Sequence, residues 1–340
     1  MAPLGRGRIG GRRQVLARGG GEYLLTRMES VMHDPLVAEL ITRIGEGELR
    51  DSIYHLAKDP LPCRKANYTR AGQSVSTLDE TDEFVAGKLV RWGYSVGREA
   101  HEAQAFRYDE AKPRHHTYSP PQPDDPWYTV YNLNARRAGT HRPGEIICLV
   151  AHKDSPSWID SPGAHDNAVG TAGALEIARV LAGYQPRRSL WFLFCNEEHT
   201  PWTSVAAAQA AKERGDDLIA IINLDALAGK SQADREAGRK TNVTLYTVPE
   251  GEPLARLMAE VNETYGIGLE QSTYLRERPN DDDGSFVKAG FPAAIANFGS
   301  YPYADPNYHE PGDTAESVDV ANVHMTVQAT LAAVLTLDRS

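Results

Sequence analysis

Three stretches decide the fold of this chain: IICLVAHKDS at residues 146–155, GAHDNAVG at 163–170 and SLWFLFCNEE at 189–198. The apolar runs 146–151 and 190–195 have the length of a strand, and each ends at or just before histidine or acidic residues. Continuous apolar runs are typical of strands that are buried on both faces of a parallel sheet. Because ligand sites form at the carboxyl ends of such strands, the polar residues that follow them are candidates for function.

A group of acidic and imidazole side chains follows these strands. They are His152, Asp154, Asp166, Glu197 and Glu198. Carboxylates gathered at one sheet edge repel one another unless cations lie between them, so a metal site is the simplest interpretation. Two more candidate ligands lie downstream: Asp225 ends the apolar run 219–224, and His309 lies in YHEPGDT.

The same pieces resemble a known family. AHKDS, GAHDNAVG, NEE, NLD, FVKAGFPA from Phe286 and YHEPGDT occur in the order found in the di-zinc aminopeptidases of the aminopeptidase Y type. That metallopeptidase family also includes glutamate carboxypeptidase and glutaminyl cyclase. The resemblance spans residues 129–314, and its strength comes from the ordered set of pieces rather than from any single one.

The resemblance implies a specific set of metal ligands. His152 and Asp225 hold one zinc ion, Glu198 and His309 hold the other, and Asp166 bridges the two. Zinc accepts such a mixture of nitrogen and oxygen ligands and leaves a position for water. Two Zn²⁺ per chain are therefore expected, with Co²⁺ or Mn²⁺ as alternatives.

The resemblance also implies the catalytic roles. Glu197 is expected to be the general base that takes a proton from a water bridging the two zinc ions and passes it to the leaving amine. Asp154 is expected to orient the imidazole of His152, and the Tyr308 hydroxyl to lie near the developing oxyanion. The Asp166–Asn167 peptide is expected to be cis.

Other reactive residues near these motifs have simpler interpretations. His165 and His199 are expected to lie beside the ligands without touching metal, and His115 and His116 to be exposed in a polar loop. Cys195 is interpreted as a buried structural thiol, since a free cysteine in an apolar strand usually packs as a small hydrophobic residue.

The composition of the chain limits the classes of protein to which it can belong. The chain has 340 residues, 41% of them hydrophobic, and a formal net charge of −10, which argues against nucleic-acid and anionic-membrane partners. Its three cysteines show no spacing typical of a disulfide framework. No apolar run is long enough to span a membrane, and no secretory signal is evident. These features predict a cytoplasmic protein and say nothing of its oligomeric state.

Residues 28–340 are predicted to form one catalytic domain. The Gly/Arg-rich residues 1–27 are expected to be a disordered extension, and the proline-rich residues 100–126 an excursion that edges the cleft. Helices are predicted from Asp34, around 49–56, from a Thr77/Glu80 capping box to Gly93, after Asp166, at 206–214, 254–266 and 318–337. Strands are predicted at 94–96, 128–133, 146–151, 190–195, 219–224, 241–247 and 291–298. This alternation favours a three-layer α/β/α sandwich with a central mixed, mostly parallel sheet, as in zinc exopeptidases.

Three functions compete at this stage. The leading one is a metal-dependent aminopeptidase whose partner is a peptide with a free N-terminus; the acidic run Asp281–Asp283 favours it as an acidic rim that attracts an ammonium group. The second is a single-zinc acyltransferase of the glutaminyl cyclase type, for which the resemblance implies loss of the first histidine ligand, whereas His152 is present. The third is a non-catalytic binding relative, which the retention of every expected ligand disfavours.

Overall fold

A mixed β-sheet between two layers of helices forms the centre of the fold. The structure, a computed structural model, describes residues 31–340 except Pro302. Within this range nine strands form the central sheet. They are β1 (Val96–Ala105), β4 (Tyr128–Arg137), β5 (Arg142–His152), β6 (Arg188–Cys195), β7 (His199–Thr200), β8 (Asp217–Leu224), β9 (Thr241–Tyr246), β10 (Glu270–Leu275) and β11 (Ala294–Phe298). Two short strands, β2 (Arg107–Tyr108) and β3 (Tyr118–Ser119), pair with each other apart from that sheet.

The strand order brings the ends of the central strands together. The order is β10-β9-β11-β8-β5-β6-β4-β1-β7. Strands β6, β5, β8 and β11 are parallel, while β9, β4 and β1 are antiparallel to their inner neighbours. In this register His152 pairs with Cys195, and Val150 pairs with Asn223. The residues that follow β5, β6 and β8 therefore emerge side by side at one edge of the sheet.

Helices cover both faces of the sheet. They are α1 (Pro35–Ile41), α2 (Glu46–Ala57), α3 (Thr77–Arg91), α4 (Val169–Val180), α5 (Thr203–Arg214), α6 (Gln232–Glu236), α7 (Glu252–Thr264), α8 (Asp281–Ala289) and α9 (Val320–Arg339). Along β5, Ile147 and Leu149 pack into the larger core with α1–α4, α7 and α9, whereas Cys148 and Val150 pack into a second core with α5 and α8. The predicted α/β/α sandwich with a mixed sheet is confirmed.

Local sequence accounts for where the first helices begin. Asp34 caps α1 by accepting a 2.9 Å hydrogen bond from the Leu36 amide, and Pro35 occupies the first helical position. The capping box of α3 is Ser76 with Asp79, so the predicted Thr77/Glu80 pair is wrong by one residue. Glu80 instead forms an ion pair with Arg70.

The proline-rich segment is partly strand. The predicted strand at 94–96 begins at Val96 and continues to Ala105, so the first residues of the predicted excursion belong to β1. Most side chains of β1 are exposed or half-buried, since only the short β7 lies beyond it at the edge of the sheet. Because β1 is largely polar, it lacks the apolar pattern by which the other strands were predicted. The rest of the segment contains the β2/β3 hairpin.

One helix within the described range, α9, is long and apolar enough to cross a membrane by length and composition. Inside the protein 72% of its most apolar window is buried. This burial is typical of a core helix, as the packing of α9 in the larger core indicates. The predicted disorder of residues 1–27 lies outside the described residues.

Candidate metal centre

The candidate ligands lie together at the carboxyl edge of the sheet. His152 is the last residue of β5, Asp225 directly follows β8, and Glu198 lies just beyond β6. Asp166 lies in a short turn at 164–168 before α4, and His309 lies in the loop after β11. All are buried, with exposures between 1% and 6%. The polar strand ends thus form a closed cluster rather than an open rim.

Asp166 lies between the two predicted halves of the cluster. Its Oδ1 is 3.0 Å from His152 Nε2, and its Oδ2 is 3.0 Å from His309 Nε2. Asp225 Oδ1 is 3.5 Å from His152 Nε2, and Glu198 Oε1 is 3.3 Å from His309 Nε2. The Asp166–Asn167 peptide is cis, as the resemblance implied. By these distances, each carboxylate oxygen of Asp166 faces one histidine.

The hydrogen bonds of the Nδ1 atoms of His152 and His309 determine the state of the Nε2 atoms, which face the carboxylates. His152 Nδ1 lies 3.3 Å from Asp154 Oδ1, and His309 Nδ1 lies 2.7 Å from the His115 carbonyl oxygen. Both partners only accept hydrogen bonds, so each Nδ1 carries the proton and each Nε2 of a neutral ring carries a lone pair. Those lone pairs point at carboxylate oxygens, an arrangement that is repulsive unless a proton or a metal cation lies between them.

The pKa values of both imidazoles are raised, which agrees with the need for positive charge between the rings and the carboxylates. Burial alone lowers the pKa of His152, but Asp225, Asp154 and Asp166 outweigh it and raise the pKa well above its ordinary value. Burial likewise opposes protonation of His309, yet Glu198 and Asp166 raise its pKa to about 10. The surrounding carboxylates therefore favour a positive charge at both imidazoles.

The carboxylates show the complementary shifts. Burial raises the pKa of Asp225 to about 7 and raises that of Glu198, with His152 and His309 acting in the opposite direction. Nitrogen and oxygen donors in two adjoining sets, sharing Asp166, suit two divalent ions such as zinc. The residues present therefore fit the metal pair that the sequence led us to expect.

Asp154 ties the ends of β5 and β6 together. Its carboxylate accepts 2.9 Å hydrogen bonds from the Glu197 and Glu198 amides and a 2.8 Å hydrogen bond from His199 Nδ1. It also faces His152 Nδ1. Hydrogen bonds from the two histidines hold the pKa of this carboxylate well below its usual range, although burial acts to raise it. Asp154 therefore contacts the His152 ring and the backbone of both glutamates, and its orienting role stays a prediction.

Glu197 also lies close to two of the candidate ligands. Its carboxylate, His152 and Asp225 offer ligand atoms that lie within 4.8 Å of one another. Its Oε2 is buried and has no hydrogen-bond partner among the described residues. Burial and the nearby Asp282 and Asp281 raise the pKa of Glu197 well above its usual value. An unpaired carboxylate oxygen beside the candidate ligands is free to accept a proton, which a general base must do.

Tyr308 packs directly on a candidate ligand. Its ring stacks on that of His309, with centroids 3.9 Å apart, and on Tyr303, with centroids 4.7 Å apart. The edge of the Trp158 ring meets His309 at 4.9 Å. Aromatic rings therefore surround this ligand. The predicted role of the Tyr308 hydroxyl stays a prediction.

Three other histidines, His115, His165 and His199, bond to a carboxylate or a carbonyl group. His165 Nδ1 is 2.8 Å from Asp313 Oδ1, and His199 bonds to Asp154, so neither joins the candidate ligands. His116 is exposed, as predicted, but the prediction for His115 is wrong. The His115 ring is only 25% exposed and bonds to the Tyr308 carbonyl, because the excursion folds back onto the His309 loop. No local sequence pattern predicts this contact between His115 and Tyr308.

Arg64 is a buried cation that sequence analysis missed. Its guanidinium donates 2.7 Å hydrogen bonds to the carbonyls of Lys153, Pro162 and Gly163. These carbonyls flank the segments that carry His152 and Asp166. Burial lowers the pKa of Arg64 to about 10. The arginine therefore fastens two ligand-bearing loops to each other and adds positive potential beneath an acidic cluster.

The acidic run Asp281–Asp283 is buried. The prediction that it forms an acidic rim at the surface of the cleft is therefore wrong. The three side chains are at most 4% exposed and lie in the first turn of α8, which was not predicted as a helix. Arg276 forms ion pairs with Asp281 and Asp283. Cys195, buried as predicted, lies 3.0 Å from Asp282. Burial raises the pKa of Asp283 to about 7. One arginine for three aspartates leaves this region acidic.

Comparison with known families gives one match over more than half of the chain. The model described as Peptidase family M28 matches residues 132–334. A probable zinc metalloprotease of Pyrenophora tritici-repentis is 29% identical over 216 residues, which cover 53% of this chain and 42% of that protein. Leucine aminopeptidase 1 of Fusarium vanettenii is 27% identical over 179 residues, 49% of this chain and 45% of that protein. The matched region is less than half the length of either relative.

Solved structures share the fold at low sequence identity. LapB from Legionella pneumophila superimposes with a TM-score of 0.70 and 18% identity, covering 94% of this chain and 80% of that one. An aminopeptidase from an Aneurinibacillus strain gives 0.66 and 14%, covering 88% and 95%. A glutaminyl cyclase of Bacteroides thetaiotaomicron gives 0.64 and 17%, covering 86% and 98%. At these identities the comparisons establish a shared architecture.

Proposed function

The chain belongs to peptidase family M28, and from this membership we propose that it is an aminopeptidase that works with two zinc ions. The observation that carries the proposal is the position of Asp166, with one oxygen 3.0 Å from each of two histidine Nε2 atoms. A shared carboxylate between two sets of ligands suits a pair of cations. His152 and Asp225 would hold one ion, and Glu198 and His309 the other.

Zinc at this site would supply a Lewis acid for the scissile carbonyl and lower the pKa of a water molecule. The remaining chemistry belongs to the chain. Glu197, with its unpaired buried Oε2 beside His152 and Asp225, takes a proton from the attacking water and gives it to the leaving amine. The products are an amino acid and a peptide shortened by one residue.

Two further residues support this step. Asp154 holds the His152 ring and the backbone of Glu197 and Glu198 in one network, so the base and two ligands keep a fixed mutual position. Tyr308 lies against His309, from where its hydroxyl would donate to the oxyanion that forms on the substrate.

The charge around Glu197 supports a substrate with a free N-terminus. Asp282 and Asp281 both act to raise the pKa of Glu197, so their negative charge is felt at the proposed base. Among the described residues, the Arg276 guanidinium forms ion pairs with Asp281 and Asp283 and none with Asp282. A cationic ammonium group is favoured in such a region, whereas a terminal carboxylate is disfavoured.

A panel of matched substrates tests the proposal. With zinc present, we expect aminoacyl p-nitroanilides to be hydrolysed and their N-acetylated counterparts to be left intact. A chelator should abolish the activity, and added zinc should restore it. Release of p-nitroaniline from the acetylated substrates at a comparable rate would contradict an aminopeptidase, and cyclisation of N-terminal glutamine without hydrolysis would favour the glutaminyl cyclase alternative.

A further inference from the structure

The tip of the excursion reaches the loop that carries His309. Arg114 Nε lies 2.9 Å from Glu310 Oε1, and Arg114 Nη2 donates a 2.7 Å hydrogen bond to the Pro306 carbonyl. The His115 ring bonds to the Tyr308 carbonyl. These contacts join residues 107–119, which form the β2/β3 hairpin and are here named the strap, to both sides of a candidate metal ligand.

The strap also contacts the ligand itself. The His115 carbonyl accepts a 2.7 Å hydrogen bond from His309 Nδ1. This bond fixes the tautomer and the rotation of the imidazole, so that Nε2 points at Asp166 and Glu198. The same histidine would otherwise keep a buried N–H group without a partner on its far side, which is unfavourable.

The backbone of His115 has an unusual conformation. Its φ is 71°, in the left-handed region that only a few per cent of residues other than glycine adopt, histidine and asparagine more often than most. The His115 amide donates no hydrogen bond to any residue of 31–301 or 303–340. The conformation aims the carbonyl at His309, and the two opposed hydrogen bonds between the strap and residues 308–309 hold it there.

We propose that the strap is a positioning element for the second metal ion, with His115 as the positioning residue that orients His309 through its backbone carbonyl. The inference rests on the proposed function, since it concerns the Glu198/His309 half of the two-metal centre. Groups that orient a ligating histidine typically contribute about 10–100-fold to metal affinity or activity. The strap is therefore part of the site, although it is far from the ligands in sequence.

Two substitutions at the same position separate the carbonyl from the side chain. His115→Pro imposes a φ near −65° and turns the carbonyl away from His309 without removing an amide hydrogen bond found in the described chain. His115→Asn tolerates positive φ and keeps the carbonyl in place, while it loses the imidazole. Glu110→Ala, on the exposed part of the same strap, is the matched control.

The measurement is a zinc titration of the chelator-treated full chain, with circular dichroism of the metal-free forms to verify the fold. We expect His115→Pro to bind the first equivalent like the wild type and the second about 10–100-fold more weakly. His115→Asn and Glu110→Ala should stay close to the wild type.

Unchanged affinity for the second equivalent in a folded His115→Pro variant would overturn the inference. If His115→Pro is unfolded, Arg114→Ala takes its place, because it removes the contacts of the strap with Glu310 and Pro306. Normal affinity of Arg114→Ala for the second equivalent would then count against the inference, because the strap would serve the fold alone. Failure of the wild type to bind a second equivalent would instead contradict the proposed function.

Discussion

Replacing Glu197 with glutamine is expected to lower kcat by about 10²–10⁴-fold, the usual loss when a general base is removed. Glutamine keeps the size of the side chain and its proximity to His152 and Asp225. It cannot take a proton from water at neutral pH. Zinc content should stay at the wild-type level, because Glu197 is not among the proposed ligands. The check is kcat for an aminoacyl p-nitroanilide, measured together with the zinc content of the same preparation.

The control for this variant is Glu213→Gln, an identical chemical change on the exposed face of α5. It should leave both quantities unchanged. If Glu197→Gln retained turnover within a few-fold of the wild type, Glu197 would not be the base. Loss of zinc in that variant would show instead that this carboxylate is a ligand.

Replacing Asp166 with asparagine should have the largest effect on metal content. The substitution removes the negative charge and one of the two anionic oxygens that face His152 and His309. Both halves of the centre lose a shared ligand at once, so zinc should fall from about two to about one or fewer per chain. Activity should fall with it, to a level that saturating zinc does not restore. Metal analysis after gel filtration and a zinc-dependent activity curve provide the measurement.

Asp124→Asn, an exposed position in the segment before β4, is the matched control and should bind zinc normally. Retention of both zinc ions by Asp166→Asn would contradict the bridging role. Since asparagine could still offer one neutral oxygen, Asp166→Ala serves as the stricter variant. The two substitutions should give the same direction of change.

The convergence of the candidate ligands could be predicted in part because several of them lie where strands end. His152 and Asp225 follow continuous apolar runs, and such runs predict both the strands and the edge at which they finish. Asp166 and His309 lie in irregular segments, so their inclusion depended on the resemblance of ordered motifs. The structure brings their side chains to within 3.0 Å of each other, and their assignment as ligands stays a proposal.

The residues that contact the candidate ligands could not be predicted. They come from distant parts of the chain, and no local sequence pattern indicates their contacts. His115 meets His309 across almost two hundred residues of sequence, through a backbone carbonyl that any residue type possesses. Arg64 likewise acts on carbonyl groups. The run Asp281–Asp283 was expected at the surface because three adjacent acids usually are, whereas Arg276 and the start of α8 stabilise them inside.

The most direct test of the central claim is the number of zinc ions that the purified wild-type chain binds. Two imidazoles that each point a lone pair at a carboxylate oxygen of Asp166 predict about two zinc ions per chain, measured by elemental analysis after removal of loosely bound metal. Binding of about two ions, both required for hydrolysis of an aminoacyl amide, is the result expected here. One ion per chain with full activity, or none, would contradict the account.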